Sequence, residues 1–253
     1  MRLAGKSIVI TGATGIAAAA VRKSTAEGAR VFVVSIGEEE TQALANVIGV
    51  VGVATADLSD EEQAGEALQE ARTVLGGIDG LFAVAGGSGR RHGDGPADTV
   101  SLPAWEATMA ANAVPMFLSA REAFRHMAGR GGSVVIVSSV LATSPSPALF
   151  ATHAYAAAKG AAEAFTRASA AYYAPEGIRV NAIAPGLVDT PMASRAAGDP
   201  EIVAYAVRKQ PLAGGLLRPE AVADAAIFLL SDESSQITGQ VLAVDGGWGV
   251  TGV

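Results

Sequence analysis

The sequence predicts an α/β fold: a doubly wound parallel sheet of about seven strands with helices on both faces. Three observations carry this expectation. Short runs rich in β-branched residues recur along the whole chain. Most are separated by stretches with helical patterning. The runs are near-continuously apolar rather than alternating, as strands covered on both faces are. In such folds ligands bind at the carboxyl ends of the strands.

The runs span Ser7 to Thr11, Arg30 to Ser35, Val50 to Ala56, Ile78 to Ala85, Ser133 to Ser138, Ile178 to Ala184 and Val241 to Val244. After the first comes Thr11-Gly12-Ala13-Thr14-Gly15-Ile16-Ala17-Ala18, a turn that opens a helix. Glycines in that setting let a pyrophosphate approach backbone N–H groups, although an ordinary strand-to-helix turn reads the same way. Ser59-Asp60-Glu61-Glu62 is read as a capping box opening a helix. Around Asn112, Pro115 lacks an N–H and leaves the carbonyl of Ala111 without its helical partner, which predicts a bend that could hold water. Gly132 to Ser139 reads as a buried strand ending in two hydroxyls. The stretch from Tyr155 to Tyr173 is an alanine-crowded helix, and Pro219-Glu220 opens a helix running to Ser231. No linker or charge block divides the 253 residues, so residues 1–253 are expected to form one domain.

Half of the residues are hydrophobic but only 5% are aromatic, so Ala, Val, Leu and Ile must fill the core. A net charge of −7 leaves no basic patch suited to a phosphate backbone, which argues against nucleic acid and for a small-molecule partner. With no cysteine there is no thiolate metal site, and His92, His126 and His153 are too scattered to suggest zinc; no metal is expected. Met1-Arg2-Leu3 passes directly into a strand, with no apolar signal core, and a cytoplasmic protein is expected. Residues 131 to 158 lack Asp, Glu, Lys and Arg, but Ser138, Ser139, Thr143, Ser144, Pro145, Ser146 and Pro147 break any membrane-spanning reading.

Tyr155-Ala-Ala-Ala-Lys159 sets a phenol and an ammonium one helical turn apart on one face. A phenol holds its proton to about pH 10, and each unit of downward shift needs about 1.4 kcal/mol; a nearby Lys⁺ supplies part of it. A packed ring beside a solvated charge gives the same spacing. The surroundings decide: the hydroxyl-ended strand upstream, this pair, and Arg179-Val180-Asn181-Ala182-Ile183-Ala184-Pro185-Gly186 downstream resemble, in that order, the short-chain dehydrogenase/reductase family. Ile237 to Gly247 extends the resemblance almost to the end of the chain.

The resemblance implies a Rossmann-type domain that interconverts a secondary alcohol and a ketone with NAD or NADP. Tyr155 would be the general acid in reduction and the base in oxidation. Lys159 would lower its pKa and grip the nicotinamide ribose, Ser139 would orient the substrate oxygen, and Asn112 would let a water pass protons to Lys159. Ser139 precedes Tyr155 by sixteen positions, about three more than is common in the family. Ser138 competes for its role, and the extra residues fit a bulge in Leu141 to Thr152.

For the cofactor the resemblance nominates Gly12, Thr14, Gly15, Ile16, Ser35, Asp57, Leu58, Ala85, Gly86, Pro185, Gly186, Val188 and Thr190, beside Tyr155 and Lys159. Only Ala13 and Thr14 separate the first two glycines, where single-domain members usually have three residues, and Ala18 stands where a third glycine would. Ala83 and Val84 replace two asparagines whose amides would brace the sheet. Asp57 reads equally as an acid at a helix start, and Thr190 as a helix N-cap. Ser35 and Ile36 do not decide between cofactors, but Glu38, Glu39 and Glu40 would repel a 2′-phosphate, so NAD is favoured over NADP.

The substrate pocket is expected between Gly87 to Gly95, Leu141 to His153, and Leu187 to about Gln210. Arg90, Arg91 and His92 could receive an anion or simply be solvated; His153 could line the pocket or cap its helix. By analogy the chain forms a homotetramer through the alanine-rich helix, which includes Ala158, Ala161, Ala162 and Ala168. A regulator or scaffold that binds a dinucleotide without useful turnover is the alternative from another class. A 3-oxoacyl thioester, a sugar and a cyclic alcohol remain unranked as substrates.

Overall fold

The computed structural model describes residues 1–252. In chain order its elements are β1 Ser7–Thr11, α1 Gly15–Ala26, β2 Arg30–Ser35, α2 Glu38–Ala45, β3 Val50–Thr55, α3 Glu61–Leu75, β4 Gly80–Ala83 and α4 Leu102–Met127. Then follow β5 Gly132–Val137, α5 His153–Tyr173, β6 Ile178–Pro185, α6 Ser194–Ala197, α7 Pro200–Lys209, α8 Pro219–Leu230 and β7 Val241–Val244. The seven strands form one parallel sheet in the order β3-β2-β1-β4-β5-β6-β7, the doubly wound Rossmann-like arrangement. Strand order reverses beside β1, whose Ile8 pairs with Val31 of β2 on one side and Gly80 of β4 on the other. The crevice above that reversal is where such sheets bind ligands.

Burial explains the apolar runs. All five residues of β1 are buried, whereas β3 and β7, at the sheet's edges, are only partly covered. One core layer packs α3, α4 and α5 against the sheet through residues such as Leu68, Leu75, Met116, Phe124 and Ala162. The other packs α1, α2 and α8 through Val21, Leu44, Val222 and Leu230.

Several expectations need correcting. β4 stops at Ala83 because the next two N–H groups leave the ladder: Val84 and Ala85 donate to Oγ1 of Thr11, at 3.0 and 3.1 Å. Thr11 thereby provides bracing expected to be missing with the two asparagine amides. The α3 cap lies one residue later than the predicted box. Asp60 accepts from the N–H groups of Glu62 and Gln63, both at 3.0 Å, while Ser59 donates to Asp57. α4 runs through Pro115 as a single helix. Ala158 and Ala162 of α5 are buried within the chain; the small residues that α5 exposes are Ala157, Ala161, Ala164, Ala168 and Ala171. No helix among the described residues is long and apolar enough to cross a membrane.

Candidate active site

The two hydroxyls beyond β5 go to different places. Ser138 is buried, and its Oγ lies 3.1 Å from the carbonyl of Lys159 and 3.0 Å from Oε1 of Glu163, tying the strand's end to α5. Ser139 starts a short 3₁₀ turn, where its Oγ accepts from the N–H of Leu141 at 3.2 Å. Its hydroxyl also faces Tyr155, near enough to the phenol to pull its pKa down. Of the two competing serines, Ser139 therefore meets the tyrosine.

Tyr155 and Lys159 lie on the first two turns of α5. The helix start is held by Asp94, a buried residue of the loop after β4, whose carboxylate accepts from the N–H groups of Ala154 at 3.0 Å and Tyr155 at 2.9 Å. Thr152, at the cap position, makes no side-chain cap bond. His153 does not cap either: its Nδ1 accepts from the N–H of Ala97 at 2.9 Å. Gly89 is needed beneath this cap, since a Cβ there would lie 2.8 Å from Thr108 and closer still to the Asp94 carboxylate.

Lys159 is buried, donates from Nζ to the carbonyl of Val137 at 2.9 Å, and lies 5.6 Å from the centre of the Tyr155 ring. Burial pulls its pKa down to about 8. Burial likewise pushes the Tyr155 phenol up to about 12, against the opposing pull of the nearby Ser139 hydroxyl. The expectation that Lys159 would hold the phenol below its ordinary pKa is thus not met: withdrawal from water outweighs the polar contacts, although the residue keeps some exposure.

Asn112 of α4 faces the same point. Its Oδ1 accepts from the N–H of Gly87 at 3.1 Å, and its Nδ2 donates to the carbonyl of Thr108 at 3.0 Å. Gly86 lies between Asn112 and Lys159: a Cβ there would be 2.9 Å from Asn112 Oδ1 and 3.7 Å from Lys159 Nζ. The Ala111 carbonyl, released by Pro115, is 3.8 Å from that same position. The four residues nominated together, Asn112, Ser139, Tyr155 and Lys159, all line one cleft at the carboxyl ends of the strands.

The cleft continues to the glycine turn, and Thr14, Gly15, Ile16, Gly86, Pro185, Gly186, Val188 and Thr190 line it as the sequence suggests. Gly12 has φ 95°, a left-handed conformation suited to glycine, and the start of α1 has neither a side-chain cap bond nor an acid in its first turn. Gly15 is pressed against Thr190, whose Cγ2 would lie 2.7 Å from an added Cβ. Thr190 occupies the cap position of a short 3₁₀ turn without a capping bond. The small residue that meets Gly12 is Ala17, 3.3 Å from where a Cβ would stand, rather than Ala18. An open N-terminus, permissive glycines and a cationic end fit a dinucleotide.

Other nominees lie outside the lining. Gly12, Ser35, Asp57, Leu58 and Ala85 do not line the cleft. Leu58 is packed in the core, and Asp57 accepts from the N–H and Oγ of Ser59 at 2.9 and 2.7 Å, as an acid at a helix start does.

Much of the remaining lining is apolar, with Val84, Leu141, Phe150, Leu187, Met192 and Trp248. Trp248 was not foreseen. It is fully buried, donates from Nε1 to the carbonyl of Ser144 at 3.1 Å, and meets Phe150 and Tyr205 edge-on at 5.9 and 5.4 Å. Its clue was a rare large aromatic just after the Asp245-Gly246-Gly247 turn. Asp94 was also missed; its clue was a single acid between Gly93 and Gly95. Arg90 lines the cleft together with Arg195, whereas Arg91 and His92 do not.

Known proteins similar to this chain include dehydrogenases and reductases. A family model described as enoyl-(acyl carrier protein) reductase matches residues 11–249. The chain is 35% identical to a cis-4-hydroxycyclohexanecarboxylate dehydrogenase of Sinomonas cyclohexanicum, over 95% of each chain. It is 34% identical to a glucose 1-dehydrogenase of Gluconobacter oxydans, over 97% of this chain and 92% of the relative. Identity to a 3beta-hydroxysteroid dehydrogenase 1 of Eggerthella lenta is 36%, covering 97% and 94% respectively. The solved structure of a short-chain type dehydrogenase/reductase from Mycobacterium ulcerans superposes with a TM-score of 0.90 at 28% identity, covering 99% of this chain and 92% of that one.

Proposed function

We propose, for a chain that belongs to the short-chain dehydrogenase/reductase family and is an NAD(P)-dependent enzyme acting on CH–OH groups, that Tyr155 is its acid–base group in interconverting a secondary alcohol and a ketone. The observation that carries this is the meeting of Ser139 and Tyr155, with Lys159 and Asn112 behind them, in a cleft that continues to the open start of α1. The bound nicotinamide supplies the hydride in reduction and accepts it in oxidation. Tyr155 donates its phenolic proton to the carbonyl oxygen in reduction and takes the alcohol proton in oxidation. Ser139 holds the substrate oxygen beside the phenol. Lys159, held by the Val137 carbonyl, would provide positive charge and donors to the nicotinamide ribose, while Asn112 orders the Gly86-Gly87 turn that would help to hold the cofactor. The N–H groups at the start of α1 would receive the pyrophosphate, and Thr190 the carboxamide.

NAD is the preferred cofactor in this reading. β2 ends at Ser35, and α2 begins with Glu38, Glu39 and Glu40, all exposed, so a 2′-phosphate would face acids rather than a base. Residues 1–253 form one domain, and the exposed small-residue face of α5, beside half-exposed Phe117 of α4, supports close helix packing in a homotetramer. Among substrate classes, the apolar wall around Phe150 and Trp248 and the cyclic alcohol named for one relative favour a cyclic or similarly bulky carbon skeleton.

A fluorescence titration with NADH and NADPH, followed by an alcohol panel, tests the reading. NADH binding with NADH-forming turnover of secondary alcohols is expected; binding of neither cofactor would overturn it, and a clear preference for NADPH would overturn the NAD assignment.

A further inference from the structure

The charges on the cleft wall are all of one sign. Its ionisable cations are Arg90, Lys159 and Arg195, and no Asp or Glu lines it, in a chain with 25 acids and 18 lysines and arginines. Lys159 is engaged at the reacting end. Neither Arg90 nor Arg195 has a carboxylate within ion-pair distance among the described residues. The acid acting on Arg90 from nearby is Asp94, and both of its oxygens are occupied by the start of α5.

The two arginines come from different segments, Arg90 from the short 3₁₀ turn after β4 and Arg195 from α6. Arg90 is held by a bond from Nη2 to the carbonyl of Leu149 at 3.1 Å, next to Phe150 of the apolar wall. The two are close enough for the Arg195 charge to lower the pKa of Arg90, second to burial. Both side chains keep contact with solvent, and two like charges that line one cleft with no acid in its lining leave that side of the cleft favourable to an anion. A guanidinium binds a carboxylate through two parallel hydrogen bonds.

We propose that Arg90 and Arg195 form an anion subsite, and that the physiological substrate is a secondary alcohol, or its ketone, whose carbon skeleton also bears a carboxylate or comparable anionic group. The inference rests on the alcohol–ketone reading above and deepens it. The skeleton lies along Phe150 and Trp248, with its carbinol carbon at Tyr155 and its anion at the two arginines. The pair selects charged alcohols over neutral ones of the same shape. Cofactor phosphates offer the same anionic chemistry, so the test must separate the two sources.

The test uses the enzyme–NADH complex and two probes of matched shape, cyclohexanecarboxylate and cyclohexanecarboxamide, with binding read from NADH fluorescence. The carboxylate is expected to bind at least about tenfold more tightly than the carboxamide. The double variant Arg90→Gln with Arg195→Gln loses that preference, Arg91→Gln retains it, and NADH affinity stays within about twofold in both. Equal binding of the two probes, no binding of the carboxylate, or a preference that survives the double variant would overturn the subsite. A double variant that instead loses NADH would assign the arginines to the cofactor's phosphates and overturn it equally. Failure of the wild type to bind either NADH or NADPH would strike the alcohol–ketone reading itself, a distinguishable result.

Discussion

The carboxylate of Asp94 accepts a hydrogen bond from the backbone N–H of Tyr155 at 2.9 Å, so the loop after β4 fixes the start of the helix that carries the phenol. A second bond, from Ala154 at 3.0 Å, completes the cap. Asp94→Ala leaves both N–H groups without a partner and removes a negative charge from a helix N-terminus. It is expected to cost about 1–2 kcal/mol of stability. The Tyr155 backbone shifts as well, so kcat falls while the KM of the cofactor changes little. A urea denaturation midpoint and steady-state kinetics check both; an unchanged midpoint would contradict the cap.

The pH dependence follows from two opposed shifts. Burial raises Tyr155 to about 12 and lowers Lys159 to about 8, so both are biased toward their neutral forms. At about pH 7 the phenol is protonated and ready to donate in reduction, whereas oxidation draws on a phenolate fraction that rises about tenfold per pH unit. kcat/KM for oxidation should therefore climb with pH from neutrality, the climb slackening as Lys159 loses its charge above about pH 8. Reduction should be level at neutral pH and fall in alkali. An oxidation profile that is flat or falls with rising pH would contradict this assignment.

The adjacent serines should separate in their effects. Ser139→Ala removes the hydroxyl that meets the phenol, and kcat is expected to fall by about a hundredfold or more with little change in stability. Ser138→Ala removes contacts to the Lys159 carbonyl and Glu163, and is expected to cost about 1 kcal/mol of stability with a much smaller change in kcat. Parallel kinetic and thermal measurements distinguish them; equal losses of kcat would remove the distinction.

Gly86→Ala probes the cofactor path. Its Cβ would press on Asn112 Oδ1 at 2.9 Å, where the chain passes between α4 and α5. The Kd for NADH is expected to rise roughly tenfold or more, in a protein whose circular dichroism still reports a native fold. An unchanged Kd would place the dinucleotide elsewhere.

The sheet was legible because a parallel strand buried on both faces must be apolar throughout: β1 and β2 have the predicted bounds, and so does β7 at the partly covered edge. β4 is shorter than its apolar run because Thr11, a residue 73 positions from Val84, takes two of its N–H groups. Tyr155, Lys159, Ser139 and Asn112 were legible because family motifs mark them. Asp94 and Trp248 act through loop contacts 61 and 104 positions apart, which no local spacing encodes. The pKa of Tyr155 escaped for another reason: Lys159 is visible in the sequence, but the burial that outweighs it is a property of the folded site.

The most direct measurement compares wild type and Tyr155→Phe on a secondary alcohol that the wild type oxidises, with NADH affinity measured on the same preparations. The account predicts that the variant binds NADH within about twofold of wild type while kcat falls about a thousandfold, because only the transferable proton has been removed. A variant that retains wild-type kcat would contradict Tyr155 as the acid–base group.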